Sequence, residues 1–429
     1  MASVTYSKGQ NSEPAYNTAR LFSASCVALI ATALAFTIRA GDVVPALQAQ
    51  LHFTAETIGA ATGILFLGYS ISLVIASQLL DILKMGRMLA LAFICHVVGV
   101  LVTITSHGYN GLWSGALLLG LGTGLIEVTV NPLIATLYRD DKTAKLNRLH
   151  SWFPGGNAIA AVTACGLTNA FEHSVSSEHL WQLKMAVILV PVIAYGALFA
   201  GQKFPETERV QSKVPTGDMY RELLRPLFLL WVCCMLLTAS TELATTSWIP
   251  TILAGKSGDR QILVVAWINI IMLIGRMYAG KVVHALSPIR MLIGSATFAL
   301  IGLLALGTIH GFAPAFLGAT LFAMGVCYFW PTMLGVTSER FPRGGAFLLG
   351  VIGGAGMLSV YTVIPMIGKV LDAHKDDPTF GFKVMAALPA VLIVVFSGVY
   401  LYDRSRGGYK AEIIGEAPVS GERVAAERA

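Results

Sequence analysis

Glu127 stands between Ile126 and Val128, about fifteen residues into an apolar run and far from both of its ends. An ionisable group in hydrocarbon costs roughly 2.5–3.5 kcal/mol on insertion scales, so by default it marks a pathway or a relay. An uncharged glutamic acid satisfies its hydrogen bonds there more cheaply than a carboxylate does, which suits a proton carrier. Asn131 follows at i+4, so the two side chains share a helix face. Two more acids interrupt apolar runs: Asp42, with Arg39 one turn earlier, and Glu242, with Trp248 six residues on. Asp42 suits a substrate-contacting or proton-linked carboxylate, or an ion pair with Arg39. Arg39, near the end of its run, could instead extend toward the membrane surface. Glu242 could be a binding residue, and Trp248 could line a site or belong to the interfacial aromatic belt. His150 begins the run His150-Ser151-Trp152; it titrates near neutrality and competes between modulating a proton relay and capping a helix end. Trp267, Asn269, Tyr328, Trp330 and Tyr361 are amphipathic groups within apolar runs, each able to bond substrate or to pack.

The elements that must position these groups follow from composition. Hydrophobic residues make up 55% of the 429-residue chain and charged residues 13%, and mean hydropathy is +0.68. Soluble domains carry about 25% charge, so most of this surface faces lipid. Apolar stretches of about 20 residues, each able to cross a bilayer, recur at 22–47, 57–80, 88–106, 112–137, 148–170 and 181–201. A second set falls at 226–252, 260–283, 290–308, 313–337, 344–371 and 383–403. Twelve spans with short loops leave no room for an extramembrane catalytic module. With both termini cytoplasmic, 23 of the 30 Lys and Arg residues, Arg276 among them, fall on the cytoplasmic side. Six fall opposite and Arg39 lies inside a span; this is the positive-inside signature. The net charge of +6 therefore reads as topology and implies no nucleic-acid partner. The six cysteines are scattered through apolar runs without metal-ligand spacing, which predicts small buried hydrophobes and no metal site. The polar first 20 residues and the long run after them predict no cleavable signal.

The polar stretch 202–225 separates six spans from six, and the halves echo each other. Residues 76–92 slide onto 279–295 without a gap, with identities at Ala76/Ala279, Leu83/Leu286, Arg87/Arg290, Met88/Met291 and Leu89/Leu292. Asn131-Pro132 and Trp330-Pro331 form a second echo late in the fourth span of each half. The run Asp81 to Arg87, DILKMGR, resembles the conserved second-to-third helix loop of the major facilitator superfamily, with Ser77 replacing Gly at its start. GLGTGLIEVTVNPL, LNRLHSWFPGG, TELATTSWIPTIL, GRMYAGK and FWPTMLGVTSERFP resemble its fucose and glucose/galactose permease branch.

That resemblance implies an all-α integral membrane protein with twelve transmembrane helices in two pseudo-symmetric halves. The divisions are 1–201, the linker 202–225, 226–403 and a tail, 404–429. It implies proton coupling at Glu127, with Asp42 as a second proton-linked candidate, and a sugar cavity to which Arg39, Asn131, His150, Trp152, Glu242 and Trp248 contribute. The position of His150 tends to be an amide in that branch, and Phe153 replaces a polar neighbour, which leaves the exact sugar open. Asp81, with Arg87, is expected to bond across its loop as a conformational latch. The expected function is monosaccharide import by alternating access with H+ as coupling ion, no cofactor and no enzymatic activity. The expected location is a plasma or inner membrane, as a lipid-embedded monomer. Alternatives are a transporter of another small solute (an organic anion or a drug-like compound), a sodium-coupled or uniport sugar carrier, and a non-transporting membrane sugar sensor.

Overall fold

The computed structural model describes residues 16–39, 55–106, 108–171, 173–257, 261–308, 312–412 and 414. Among these the regular structure is helical throughout. The first half comprises α1 (Thr18–Ile38), α2 (Ala55–Leu83), α3 (Met85–Ile104), α4 (Tyr109–Leu137), α5 (Lys142–His150), α6 (Trp152–Phe171), α7 (Ser177–Val187) and α8 (Leu189–Phe199). The linker carries two short helices, α9 (Glu208–Gln211) and α10 (Thr216–Leu223). The second half begins with α11 (Pro226–Ala239), continues through a π-helical turn at Ser240–Ala244 into α12 (Thr245–Ser257), then α13 (Gln261–Met277) and α14 (Ala279–Leu286). It closes with α15 (Pro288–Thr308), α16 (Phe312–Val326), α17 (Phe329–Arg340), α18 (Gly345–Ala373), α19 (Phe380–Met385) and α20 (Ala387–Ser405).

Ten helical stretches among the described residues are long and apolar enough to cross a membrane, and the pair Leu263–Met277 and Ala279–Leu286, bent by 59°, makes an eleventh. The twelfth is α6, 20 residues long, whose Gly155, Gly156 and Asn157 dilute its hydropathy and which packs between α1 and α13. Several expected spans are broken rather than continuous. The fifth breaks at Ser151, the seventh at the π turn, the eighth at Tyr278 and the tenth between Val326 and Phe329. Cys165 and Cys233 are exposed rather than buried, because a single thiol is too small to dictate which face of a helix turns inward.

The internal repeat reaches further in the structure than in the identities. Lys84 and Ser287, related by the same 203-residue offset, are both non-glycine residues with positive φ, at φ 68°, ψ 152° and φ 69°, ψ 156°. The offset then carries through three glycines where helices touch. Gly99 meets Leu119 and Gly302 meets Phe322; Gly115 meets Thr103 and Gly318 meets Leu306; Gly122 meets His96 and Gly325 meets Ala299. Small residues let helix backbones approach where the packing of lipid-facing helices depends on van der Waals contact. The partner residues differ in type; their positions do not.

The halves meet along α2 against α18 and α5 against α17. Ser70 Oγ donates to the Gly354 carbonyl at 3.0 Å, and Asn147 Nδ2 donates to Thr332 Oγ1 at 3.2 Å.

Gly120 of α4 lies so close to α2 that a Cβ there would stand 2.2 Å from the Leu65 carbonyl oxygen, whereas Gly166 faces open space. Overpacking costs about 1–3 kcal/mol. Gly120→Ala should therefore lower the melting temperature of the detergent-purified protein, and Gly166→Ala should not; equal melting of the two variants would refute the close-packing argument.

Candidate functional site

A cavity opens between the halves at mid-span. It is lined by Thr32 and Phe36 of α1, Leu65, Phe66 and Tyr69 of α2, Thr123 and Glu127 of α4, His150 and Phe153. The second half adds Glu242, Leu243, Arg276, Trp330 and Met357. Of about 620 Å³ between atoms, about 50 Å³ admits the centre of a water molecule. That is room for a few waters, so the walls must part to admit anything larger.

Glu127, Asn131 and His150 form one chain. Asn131 Nδ2 donates to Glu127 Oε2 at 3.3 Å, one helical turn away as the i+4 spacing requires, and His150 Nε2 lies 2.9 Å from Asn131 Oδ1. With the amide nitrogen turned toward the carboxylate, Oδ1 must accept, so Nε2 carries the imidazole proton. Tyr69 and Trp330 also neighbour the Glu127 carboxyl. All five side chains are at least nine-tenths buried.

The second centre is Arg276, a residue that sequence reasoning placed with the cytoplasmic charges. It is 2% exposed and reaches into the cavity from the last turn of α13. Its Nη2 donates to Glu242 Oε1 at 2.7 Å, its Nε to the Cys327 carbonyl at 2.5 Å and its Nη1 to the His150 carbonyl at 3.3 Å. Both carbonyls stand four residues before a proline, Pro154 and Pro331. A proline lacks the N–H that would otherwise occupy the carbonyl one turn earlier, so these two acceptors are free within their own helices. Arg276 supplies the missing donors, and its planar fork serves several acceptors at once, which a lysine cannot do. The sequence signal was available: two prolines inside spans, and an arginine inside the stretch drawn at 260–283.

The remaining candidates divide. Trp330 lines the cavity and packs on Gly356. Asn269 accepts from Asn157 Nδ2 at 3.0 Å, and Asn157 in turn accepts from Thr37 Oγ1 at 2.9 Å, which ties the halves together beside the cavity. Arg39 is buried at the end of α1; Asp42, and with it the expected Arg39–Asp42 pair, lies outside the described residues. Trp152, Trp248, Trp267, Tyr328 and Tyr361 are not brought into the cavity wall. Trp248 Nε1 donates to the Ile364 carbonyl at 3.0 Å, joining α12 to α18. Trp267 is 38% exposed and bonds Thr320 at 2.8 Å on the outer surface. Trp152 is half-buried in the core, Tyr328 lies beside Gly275, and Tyr361 packs on Gly63.

Asp81 bonds not within its own loop but to the linker. Thr207 Oγ1 donates to Oδ1 at 2.7 Å and Arg209 Nε to Oδ2 at 2.9 Å, while Arg87 is exposed. Linker residue Glu208 holds the buried Lys142 of α5 at 2.6 Å.

Removing one member of a buried ion pair costs about 3–5 kcal/mol, because the other charge is left uncompensated. Arg276→Gln should destabilise the purified protein by that order, and the double change with Glu242→Gln should recover a large part of the loss. A double-mutant cycle in melting temperature checks this; strict additivity would mean that the two side chains do not depend on each other.

The whole architecture can be set beside known proteins. The fold is similar to that of a variant of the E. coli fucose:proton symporter FucP, at 16% identity and TM-score 0.72, covering 88% of this chain and 98% of that one. FucP in its outward conformation gives 17% and 0.73 over the same shares. The proton:xylose symporter XylE bound to 6-bromo-6-deoxy-D-glucose gives 16% and 0.70, covering 89% of this chain and 96% of that one. No curated protein sequence matches. Residues 21–361 match the Major Facilitator Superfamily, and with the twelve-helix, two-half architecture this makes the chain a member of that superfamily, a multi-pass membrane transporter and not an enzyme.

Proposed function

We propose that this transporter carries a monosaccharide by alternating access and couples it to a proton taken up by Glu127. The observation that carries the reading is the unequal treatment of two carboxylates in one cavity. Glu242 is bonded to a guanidinium, whereas Glu127 is bonded to an amide and neighboured by a phenol and an indole. Protonating Glu242 would strand a buried cation; protonating Glu127 strands nothing. Two acids against one arginine also disfavour an anionic solute, since Arg276 is already committed. Phe36, Phe66, Phe153 and Trp330 offer the apolar walls, and the polar groups the few fixed contacts, that small-molecule sites combine. A fucose:proton and a proton:xylose symporter share the fold, which supports the same substrate class. The Lys/Arg bias survives the removal of Arg276 and favours a cytoplasmic position for the linker and both termini.

Uptake of radiolabelled glucose, galactose and fucose into proteoliposomes tests this, with an inward proton or sodium gradient. A proton gradient should drive accumulation of one sugar, and Glu127→Gln should abolish accumulation while leaving exchange of that sugar. Accumulation retained by Glu127→Gln would move the proton elsewhere, and uptake of none of the sugars would defeat the substrate. Asp81→Asn should lower the transport rate much more than the apparent affinity; a change in affinity alone would remove Asp81 from the conformational step.

A further inference from the structure

The chain does not simply leave α20 at Ser405. Gly407 and Gly408 have φ of +90° and +97°, values open to glycine at little cost, and the Gly408 N–H bonds the Asp403 carbonyl at 2.9 Å. This turn sends residues 409–412 back across the end of α17. There Tyr409 lays its ring 4.6 Å from the Arg340 guanidinium and donates its hydroxyl to Glu339 Oε2. Arg340 is itself paired with Asp403. The Glu412 N–H donates to the Glu339 carbonyl at 2.7 Å, and the Glu412 carboxylate takes Arg225 Nη2, at the start of α11, at 2.8 Å.

Glu339 is where the two halves join on the linker face. Its other oxygen, Oε1, accepts from the backbone N–H of Thr143 at 3.2 Å and from Thr143 Oγ1 at 2.5 Å, both at the start of α5 in the first half. Next to it, Lys142 Nζ donates to the Ser338 carbonyl at 3.2 Å, and Gly335 abuts Thr143 closely enough that a Cβ would stand 2.3 Å from its hydroxyl. One carboxylate therefore carries the seam on one oxygen and the tail on the other. Burial, then the neighbouring Glu339, hold the Tyr409 phenol well above its usual range, so it remains a donor.

We infer that residues 409–412 are a strap that sets how readily the linker face opens. By fixing Glu339 toward Thr143 the strap stabilises the closed seam, and its release favours the open one. Tyr409 is a positioning residue, remote from the cavity. The inference rests on the alternating-access reading of the proposed function, but not on the identity of the substrate.

The test uses the full chain in nanodiscs, with its six native cysteines replaced and Thr136→Cys, a buried position on the linker side, as reporter. The rate of alkylation by a water-soluble maleimide is measured without sugar. Tyr409→Phe keeps the ring over Arg340 and removes only the hydroxyl. Losing one hydrogen bond to a charged group should raise the alkylation rate on the order of tenfold. Glu412→Ala should raise it less, since Arg225 is also held by Glu222. Unchanged or slower alkylation in Tyr409→Phe, with normal elution on size exclusion, would overturn the strap. A faster rate in a protein that takes up no sugar would leave the strap standing and reject only the substrate.

Discussion

A guanidinium buried in a hydrocarbon-level core must find an acceptor for its donors, because an unsatisfied charged group there is more costly than any packing gain can offset. Arg276 meets this demand with one carboxylate and two backbone carbonyls that prolines have left open. The irregularities of four helices converge on it. Glu242 sits on the π turn of the seventh span, Cys327 at the break of the tenth, His150 at the break of the fifth, and Arg276 just before the bend of the eighth. Broken helices are tolerated at membrane depth where neighbours re-satisfy the freed backbone groups. One side chain performs that service for both halves.

This arrangement divides labour between the two acids in the cavity. Arg276 is committed to Glu242, whereas Glu127 lies among an amide, a phenol and an indole. The Asn131 amide then links Glu127 to His150, whose carbonyl is already held by Arg276. The Glu127 carboxyl and the contact between the halves are therefore joined by a path of three hydrogen bonds. On the linker face a second charged cluster, around Asp81, Lys142 and Glu339, closes the seam outside the cavity. Both clusters join the two halves, one at the cavity and one on the linker face.

The repeat shows how little of such a fold depends on residue identity. Gly99, Gly115 and Gly122 recur as Gly302, Gly318 and Gly325 because helix backbones touch there. Their partners vary freely: His96 faces one glycine where Ala299 faces the other. His96 can be accommodated only because Tyr195 and Thr123 offer its ring nitrogens partners at 3.1 and 3.4 Å. Backbone proximity is the shared constraint, and each half fills the space around it in its own way.

Hydropathy and charge bias along the chain were enough to read twelve spans, two halves and the buried acids Glu127 and Glu242, because crossing a bilayer is a local property of about 20 residues. The Glu127–Asn131 bond was equally legible, since i+4 is set by the helix itself. Other facts depend on which helices meet. The partner of Glu242 lies 34 residues away, at the end of a bent helix, and Arg276 read as a surface charge because the bend at Tyr278 is invisible to hydropathy. Trp267 and Tyr361 looked like cavity residues because an aromatic ring inside a span carries no mark of the side it faces. Asp81 found its partner in the linker, and the tail found its own on α17. Charge type and depth are written in the sequence; the pairing of charges belongs to the tertiary structure, because a buried ion selects whichever partner the packing brings within about 3 Å.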